Sequence, residues 1–590
     1  MKVQFFILLL IISWLTQKIT CVPQESRVLD RSSFPDDFIF GTAISAFQSE
    51  GATSEGGKSP TIWDYFSHTF PERTNMHNGD VAADFYHRYK DDIKLMKELN
   101  MDAFRFSISW ARLIPSGKVK DGVNKEGIQF YRALIDELIA SGIQPSVTLY
   151  HWDHPQALED EYGGFLSPQI IDDFRNFARV CFENFGDKVK MWTTINEPYV
   201  ISVAGYESGN KAVGRCSKWV NSRCQAGDSA VEPYIVSHHL LLSHAAAVQE
   251  FRNCNKTLQD DKIGIVLSPW WLEPSDSTSF TDKKAVKRGL AVEVDWHLHP
   301  VIYGDYPEIM KKYVGDKLPS FTPEESKMLI NSSDFIGVNY YSARFTAHLP
   351  RIDPGRTRFR TDHHYEKRVT NHSNHQIGPG EERGIIHSYP EGLRRLLNYI
   401  KDKYNNPIIY IKENGVNDYD DGSKSREDIL NDTFRISYHE DHLKQLHKAI
   451  IDDGCDVRGY YVWSLLDNFE WEFGYSTRFG LYYVDYQNLK RYPKKSVNWF
   501  RQFLSRPPVV KTEETHDEEV WNVLGDEEYN INKTGLEGFK SSVDSIVYLM
   551  KNGSRIEEDE EEEEEKDFCA LLNPNDQFRF LLKPLKSMGL

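Results

Sequence analysis

Two glutamates each follow the end of a short apolar, β-branched stretch. Glu197 lies in "TTINEP" (193–198) and Glu413 lies in "IKENG" (411–415). Cleaving an acetal requires a proton on the leaving oxygen and charge stabilisation at the anomeric carbon, and two carboxyl groups can supply both. A separation of about 5 Å lets one carboxylate attack directly, whereas about 6.5–9.5 Å leaves room for a water. We predict that Glu197 and Glu413 form a working pair at the shorter distance.

The pair needs two different protonation states, which neighbouring charges can set. Two carboxylates so close together cannot both ionise easily, so the pKa of one of them rises. Arg105 would keep Glu413 ionised as the nucleophile, and Glu197 would stay protonated as the acid. Once Glu413 is esterified its charge is gone, so Glu197 ionises more easily and can act as a base on water.

The elements that would position these residues form a repeating pattern. Amphipathic segments such as 91–100, 130–141 and 393–404 have apolar residues three and four positions apart, which is typical of helices. They alternate with eight predicted strands, at 38–43, 103–109, 145–151, 190–196, 263–268, 335–341, 408–414 and 459–466. Strand and helix repeated in this way predict an α/β fold, and eight units predict a (β/α)₈ TIM barrel. A doubly wound open sheet is the alternative, but no Gly-rich phosphate loop follows any strand.

A barrel would bring distant side chains to one face, because the C-terminal ends of its strands converge where active sites are built. Several polar and aromatic residues lie within or just after predicted strands. They are Arg105 in the second, His151 ending the third, Asn196 and Glu197 at the fourth, Asn339 and Tyr341 at the sixth, Glu413 at the seventh, and Trp463 in the eighth with Glu470 and Trp471 just after it. We predict that they share one pocket.

Other catalytic chemistries fit the sequence less well. There is no H-E-x-x-H or other paired-ligand spacing, so we expect neither a metal site nor a cofactor. There is no G-x-S-x-G nucleophile turn. His151 could be a general base or purely structural, but among aromatic residues at a strand end we favour a donor to a sugar hydroxyl.

Composition excludes some partners. The 590 residues carry a net charge of −18, which makes nucleic acid or an anionic membrane surface an unsuitable target. Aromatic residues make up 13%, including 13 Trp, and serve mainly as core while also suiting stacking on sugars. A homo-oligomer is compatible with the sequence.

The N-terminus predicts entry into the secretory pathway. In residues 1–21 one lysine precedes an apolar run from Phe5 to Leu15, too short to span a bilayer, which is typical of a signal peptide. A buried N-terminal helix is the alternative. Six Asn-X-Ser/Thr sequons agree with this route, at Asn255, Asn331, Asn371, Asn431, Asn532 and Asn552. The final compartment stays open among the extracellular space, an ER-derived body and the vacuole, since the C-terminus is not an ER-retention tetrapeptide.

The cysteines fit an oxidising lumen. Cys216 and Cys224 lie in a polar loop and could close a short disulfide ring there. Cys181 lies at helical spacing from three phenylalanines, and we expect a buried free thiol.

The chain divides into a catalytic barrel at 22–506 and a C-terminal extension at 507–590. The extension begins near Pro507 and Pro508 and contains nine consecutive acids at 557–565. Such a block repels itself and stays solvated, so we expect the extension to be partly disordered and to contain no catalytic group. A role in assembly or targeting is an alternative.

Seven motifs occur in order between about residues 34 and 506. They are "FIFGTAISAFQSEGA", "RFSISWARLIP", "HWDHPQALED", "TINEP", "DFIGVNYY", "IKENG" and "VWSLLDNFEWEFGYSTRFGLYYVD". With them the chain resembles glycoside hydrolase family 1, particularly the plant β-glucosidases and their myrosinase relatives. The resemblance implies a (β/α)₈ barrel and a retaining mechanism, with Glu197 as acid/base and Glu413 as nucleophile.

The resemblance also implies the pocket for the sugar. Trp463 would be a platform under the ring, and Asn339 and Tyr341 would support the site, with Tyr341 donating to the nucleophile. The remaining pocket residues would be Gln48, His151, Asn196, Glu470 and Trp471. The implied activity is that of a retaining β-glucosidase acting on a small β-glucoside.

Some positions distinguish related activities. Myrosinases carry glutamine where this chain has Glu197, so an O-glucosidase is favoured over a thioglucosidase. A transglucosidase shares every residue named, and a non-catalytic sugar-binding protein is a remote alternative. Lys412 stands where threonine is common, and we expect it to point outward from the barrel centre unless a bulge turns it towards Glu413. The basic segment 356–378 is expected near the pocket mouth.

Overall fold

A computed structural model describes residues 29–257, 260–350, 353–380 and 384–505. The predicted signal peptide at 1–21 and the C-terminal extension at 507–590, with the sequons Asn532 and Asn552, lie outside the described residues.

Eight parallel strands close into a barrel, so the predicted fold is confirmed. Each strand pairs with its neighbour along the chain, and the last pairs with the first. The strands are β1 (Ile39–Ala43), β2 (Ala103–Ser107), β3 (Gln144–Tyr150), β4 (Met191–Asn196), β5 (Lys262–Leu267), β6 (Phe335–Asn339), β7 (Ile409–Asn414) and β8 (Val457–Trp463). All lie within three residues of their predicted bounds.

The barrel strands are buried on both faces because helices cover the outside. All residues of β2 and of β4 are buried, which explains their largely apolar sequences. Arg105 on β2 and Asn196 on β4 are polar and fully buried. Fully buried polar groups are rare unless they are paired, so these two positions already indicate a site.

Helices occupy the connections between strands. Gln169–Phe185 shows why they form, since its buried residues Phe174, Phe177, Cys181 and Phe185 recur three and four positions apart. Cys181 is a buried free thiol, as predicted. The other long helices are Phe85–Glu98, Lys125–Ala140, Glu232–Asn253, Phe280–Leu290, Pro390–Lys403 and Thr433–Ile451. No helix among the described residues is both long enough and apolar enough to cross a membrane.

Shorter elements lie in the connections between the barrel strands and after the last strand. The short helices are Ala46–Ser49, Ile62–Thr69, Trp110–Leu113, Gln156–Tyr162, Pro198–Tyr206, Trp296–Tyr303, Glu308–Val314, Pro323–Leu329, Phe359–Asp362, Arg426–Leu430 and Lys495–Phe503, with a π-helical segment at Ala291–Asp295. The short strands are Trp271–Pro274, Ala343–His348, Tyr365–Arg368, Asp418–Tyr419, Thr477–Arg478, Tyr482–Asp485 and Lys490–Pro493.

The predicted disulfide is present. Cys216 and Cys224 are bonded with their Cα atoms 5.5 Å apart, an ordinary spacing for such a bridge. It closes a short ring in the loop between Pro198–Tyr206 and Glu232–Asn253.

Candidate active site

Glu413 lies on β7, with its carboxylate buried at the C-terminal end of the barrel. Arg105 of β2 donates from Nη1 to Oε1 in a buried ion pair. The hydroxyl of Tyr341, just after β6, donates to Oε2 at 2.6 Å. Charged and neutral donors together stabilise a carboxylate and fix its orientation. Glu413 is therefore held as a carboxylate with both oxygens engaged.

Glu197 directly follows β4 and adopts a left-handed backbone conformation with φ of 52°. This conformation is uncommon for a glutamate. The Glu197 N–H donates to the carbonyl of Val266 at 2.9 Å, which fixes the turn. Asn339 donates from Nδ2 to the Glu197 Oε1 at 2.5 Å. No cation pairs directly with Glu197 among the described residues, in contrast to Glu413.

A chain of hydrogen bonds connects the two glutamates. Asn196 Oδ1 accepts from Arg105 Nη2 at 2.6 Å and from Asn339 Nδ2 at 3.1 Å. Arg105 also contacts Glu413, and Asn339 also contacts Glu197. Arg105, Asn196 and Asn339 thus fix the positions of the two carboxylates relative to each other.

The electrostatic environment separates the tasks of the two glutamates. The pKa of Glu197 is raised to about 8, first by burial and second by the charge of Glu413. Asn339, Arg105 and Lys211 lower this pKa by smaller amounts. At neutral pH Glu197 is therefore mostly protonated. This is the arrangement that a general acid beside an ionised nucleophile requires.

Both glutamates line one cavity of about 160 Å³. The cavity brings together nine of the residues predicted from the sequence, namely Gln48, His151, Glu197, Asn339, Tyr341, Glu413, Trp463, Glu470 and Trp471. The other two, Arg105 and Asn196, do not line it. They lie beneath it, fully buried, and hold the lining residues from below.

One wall of the cavity is a polar pair suited to hydroxyl groups. Gln48 donates from Nε2 to Glu470 Oε2 at 3.3 Å, and its own oxygen accepts from Ser45 Oγ at 2.7 Å. Burial raises the pKa of Glu470 to about 8, although the nearby Lys211 cation lowers it. An acid held beside an amide in this way can accept or donate to more than one hydroxyl.

His151 forms another part of the wall. Its ring centroid lies 5.9 Å from Trp463 and 6.0 Å from Trp471, with the rings nearly parallel. The orientation of the Asn196 amide is fixed because its Oδ1 accepts two hydrogen bonds. Its Nδ2 therefore faces His151 and donates to Nε2 at 3.1 Å. Burial and the Arg105 cation lower the pKa of His151 well below its usual value. The neutral ring therefore carries its hydrogen on Nδ1, which has no partner among the described residues.

The sequence model described as glycosyl hydrolase family 1 matches residues 30–507. The chain belongs to glycosyl hydrolase family 1. The family predicted from the motifs is thereby confirmed.

Relatives within family 1 match along the full catalytic region. β-Glucosidase 29 of Arabidopsis thaliana is 81% identical over 100% of both chains. β-Glucosidase 28 of the same plant is 73% identical over 100% of this chain and 99% of its own. The crystal structure of a rice β-glucosidase has a TM-score of 0.79 and 46% identity, covering 81% of this chain and 100% of the rice chain.

The family 1 pocket contains residues that the sequence analysis missed. They also line the cavity and are Trp152, Val200, Lys211, Ser268, Pro269, Trp270, Ser342, Ile385, Ile386 and Phe479. Trp152 and Ser342 directly follow the predicted site residues His151 and Tyr341, so their position in the sequence could have identified them. Most of the others lie in loops without a periodic pattern. Lys367, from the basic segment 356–378, lies 5.9 Å from the ring of Trp270 and so places part of that segment close to the cavity wall.

Lys211 is the missed residue with the clearest electrostatic effect. It forms an ion pair with Glu472, and its Nζ lies 5.4 Å from the ring centroid of Trp152. Its charge lowers the pKa of both Glu197 and Glu470. A loop residue thus acts on both titrating acids of the family 1 site.

The expected outward direction of Lys412 is wrong. Its Nζ lies inside the barrel, 3.0 Å from Ser146 Oγ on β3. The reason is a register shift in β7, which pairs Ile411 with Val338 but Glu413 with the next residue, Asn339. Two residues of β7 therefore oppose one step of β6, which is a β-bulge, and the alternation of side chains is interrupted there.

Three sequons have exposed asparagines, at Asn255, Asn331 and Asn431. Asn371 is half-buried, and its side-chain oxygen accepts from the N–H groups of Ser373 and His375 at 2.9 Å each.

In the described parts of the chain, no three His, Cys, Asp or Glu residues are grouped so that they could hold a metal ion.

Proposed function

We propose that this chain is a retaining β-glucosidase that hydrolyses terminal non-reducing β-D-glucosyl residues of small O-glucosides. One observation carries the proposal. Two carboxyl groups at the ends of β4 and β7 line the same cavity, but only Glu413 is paired with Arg105, whereas burial raises the pKa of Glu197 to about 8. The β-glucosidase names of the relatives support the same substrate class.

The first half of the reaction transfers the glucosyl group to the protein. A Glu413 oxygen bonds to the anomeric carbon while the bond from that carbon to the leaving oxygen breaks. Glu197 gives its proton to the leaving oxygen, so the aglycone departs as a neutral alcohol. Arg105 and Tyr341 hold the attacking carboxylate in place.

The second half returns the protein to its starting state. Esterification removes the charge of Glu413, which is one of the causes of the raised pKa of Glu197. Glu197, now a carboxylate, takes a proton from water as the water oxygen bonds to the anomeric carbon. The bond to Glu413 breaks, and glucose leaves with its original configuration because two inversions cancel.

The sugar itself would be held by the polar wall and the aromatic rings. Gln48 and Glu470, which are hydrogen-bonded to each other, would bind two neighbouring hydroxyls, and the His151 Nδ1–H would donate to another. Trp463 and Trp471 offer apolar faces to the ring. The remaining lining, which includes Trp270, Ile385 and Ile386, is left for the aglycone.

The direct test is a panel of O- and S-glucosides with varied aglycones, assayed with the natural chain and with Glu197→Gln. We expect hydrolysis of O-glucosides, with a large loss for Glu197→Gln on poor leaving groups and a small loss on activated aryl groups. Equal losses on both would contradict the acid role. Higher turnover of S-glucosides than of O-glucosides would identify a thioglucosidase, and glucosyl transfer to added alcohols in preference to water would identify a transglucosidase.

We also propose that the protein passes through the secretory pathway. The Cys216–Cys224 bond and the exposed Asn255, Asn331 and Asn431 support this proposal. An enzyme that removes N-glycans should lower the apparent mass of the protein isolated from its native tissue. An unchanged mass, together with free thiols at both cysteines, would contradict it.

A further inference from the structure

Lys412, the residue before the nucleophile, is a buried lysine inside the barrel below the catalytic cavity. Its side chain is 0% exposed and does not line the cavity. Its Nζ lies 3.0 Å from Ser146 Oγ on β3 and 2.8 Å from Met191 Sδ on β4. Lys412 thus reaches from β7 across the barrel interior to two other strands.

The amine is surrounded by aromatic rings. Its Nζ lies 4.5 Å from the ring centroid of Tyr461 on β8, 5.1 Å from Phe335 on β6 and 5.1 Å from Tyr410 on β7. No carboxylate pairs with it among the described residues, since the nearby Glu413 is engaged by Arg105 and Tyr341. Burial, followed by the Arg105 cation, lowers the pKa of Lys412 well below its usual value. The amine therefore acts through contact and hydrogen bonding and not through an ion pair.

The backbone of Lys412 connects this anchor to the nucleophile. The Lys412 carbonyl accepts from Arg105 Nη1 at 3.4 Å, and the same nitrogen contacts Glu413. The bulge of β7 falls at these two residues, because Ile411 pairs with Tyr460 and Asn414 already pairs with Val462. A regular strand would send the side chains of residues 412 and 413 to opposite faces. Only the bulge allows both to face the barrel interior.

We propose that Lys412 is a positioning residue, whose amine is anchored on β3 and β4 and holds the bulge that aims Glu413 at the substrate. This inference rests on the proposed function. It assigns no contact with the sugar to Lys412. Loss of the anchor should therefore slow the attack by Glu413 and leave sugar binding unchanged.

The test uses an activated aryl 2-deoxy-2-fluoro-β-glucoside, which forms the ester with Glu413 and releases a phenolate but is hydrolysed slowly. The rate constant of inactivation reports the attack, and the inhibition constant reports binding. For Lys412→Ala we expect the rate constant to fall about tenfold or more, because a small displacement of a reacting group is costly, with the inhibition constant within about twofold. An unchanged rate constant in a folded Lys412→Ala protein would overturn the proposal.

Two further variants separate the hydrogen-bonded anchor from an effect of charge. Lys412→Met keeps the length and packing but loses the hydrogen bond to Ser146, so it should lower the rate constant severalfold, less than Lys412→Ala does. Lys412→Arg buries a permanent charge and should do worse than Lys412→Met. A Lys412→Met protein as slow as Lys412→Ala, beside a Lys412→Arg protein of natural rate, would overturn the proposal.

Controls separate the failure of this inference from other failures. Lys97→Met changes an exposed lysine and should alter nothing. If Lys412→Ala does not fold, Ser146→Ala is the alternative variant, because it removes only the hydroxyl that the Lys412 amine contacts. It should lower the rate constant of inactivation severalfold and leave the inhibition constant unchanged. An unaltered rate constant would overturn the inference. If the natural chain itself acquires no label on Glu413, it is the proposed function that fails.

Discussion

In the proposed mechanism Glu197 and Glu413 have different tasks, and their neighbours account for the difference. Glu413 has a cation and a hydroxyl on its two oxygens. Glu197 has one amide donor, and burial raises its pKa to about 8. The acid and the nucleophile are therefore assigned by environment, as in other paired-carboxylate enzymes.

The pH dependence of kcat/KM follows from this assignment. Attack by Glu413 requires Glu197 to be protonated, and its pKa is raised to about 8. The protonated fraction falls as pH rises through this value, so kcat/KM should fall above about pH 8, approaching tenfold per pH unit. Initial rates on a poor-leaving-group glucoside check this. A kcat/KM that is constant from pH 6 to pH 10 would contradict the role of Glu197.

Lys211→Met should move this fall in kcat/KM to higher pH. The Lys211 cation lowers the pKa of both Glu197 and Glu470, so its removal allows either acid to stay protonated at higher pH. The measurement is the pH profile of kcat/KM beside that of the exposed control Lys97→Met. A shift to lower pH, or the same shift in the control, would count against the assigned electrostatics.

The site residues that are easiest to find from the sequence are those at the ends of predicted strands. Glu197, Glu413 and His151 could be found because strand ends converge in a barrel. Gln48 could be named only through the family resemblance, since it lies in the short helix Ala46–Ser49 after β1. Lys211 was missed because its place beside Glu470 depends on the path of a long loop.

At the scale of elements, β7 shows why side-chain direction is harder to predict than strand location. The bounds of β7 were predicted within one residue, but its bulge was considered only as an alternative. A bulge depends on pairing with neighbouring strands, so the local pattern of "IIYIKEN" does not reveal it. The error for Lys412 follows directly from that single extra residue.

The helix Thr433–Ile451 holds the end of β6 from outside the cavity. The Tyr438 hydroxyl donates to the carbonyl of Tyr341 at 2.7 Å and accepts from Asn414 Nδ2 at 3.1 Å. Tyr341 in turn contacts the nucleophile. This element thus affects the site without lining it.

Tyr438→Phe should therefore lower both stability and turnover. It leaves the half-buried Tyr341 carbonyl and the buried Asn414 amide without this partner, a cost of about 1–3 kcal/mol in the free energy of unfolding. We expect an earlier denaturation midpoint and a severalfold lower kcat. Tyr303→Phe is the matched control, because its hydroxyl also donates to a carbonyl but is exposed. Equal effects of the two substitutions would contradict a specific role for Tyr438.

At the scale of the whole molecule, the eight strand–helix units were sufficient to predict the closed barrel. Each β-branched stretch is buried on both faces, so the strands are visible as apolar runs between amphipathic helices. The additional short strands, such as Ala343–His348 and Tyr365–Arg368, were not predicted. They pair with each other outside the barrel, and their sequences are too short and polar to be distinguished from loops.

The net charge of −18 leads to a prediction about partners of the whole chain. Repulsion from like charge should prevent binding to double-stranded DNA and to anionic lipid vesicles at 0.15 M salt. Co-sedimentation measures this, with a cationic polymer as the positive control. Saturable binding to either anionic partner would show that a local basic surface outweighs the net charge.

The most direct measurement is the anomeric configuration of glucosyl azide formed when azide is added to variants of the two glutamates acting on an activated aryl β-glucoside. In Glu413→Gly, azide takes the place of the nucleophile and should give the α-azide by one inversion. In Glu197→Gly, azide replaces the base-activated water after the ester has formed, and it should give the β-azide. The opposite configurations, or no azide product from either folded variant, would contradict the assignment of nucleophile and acid/base.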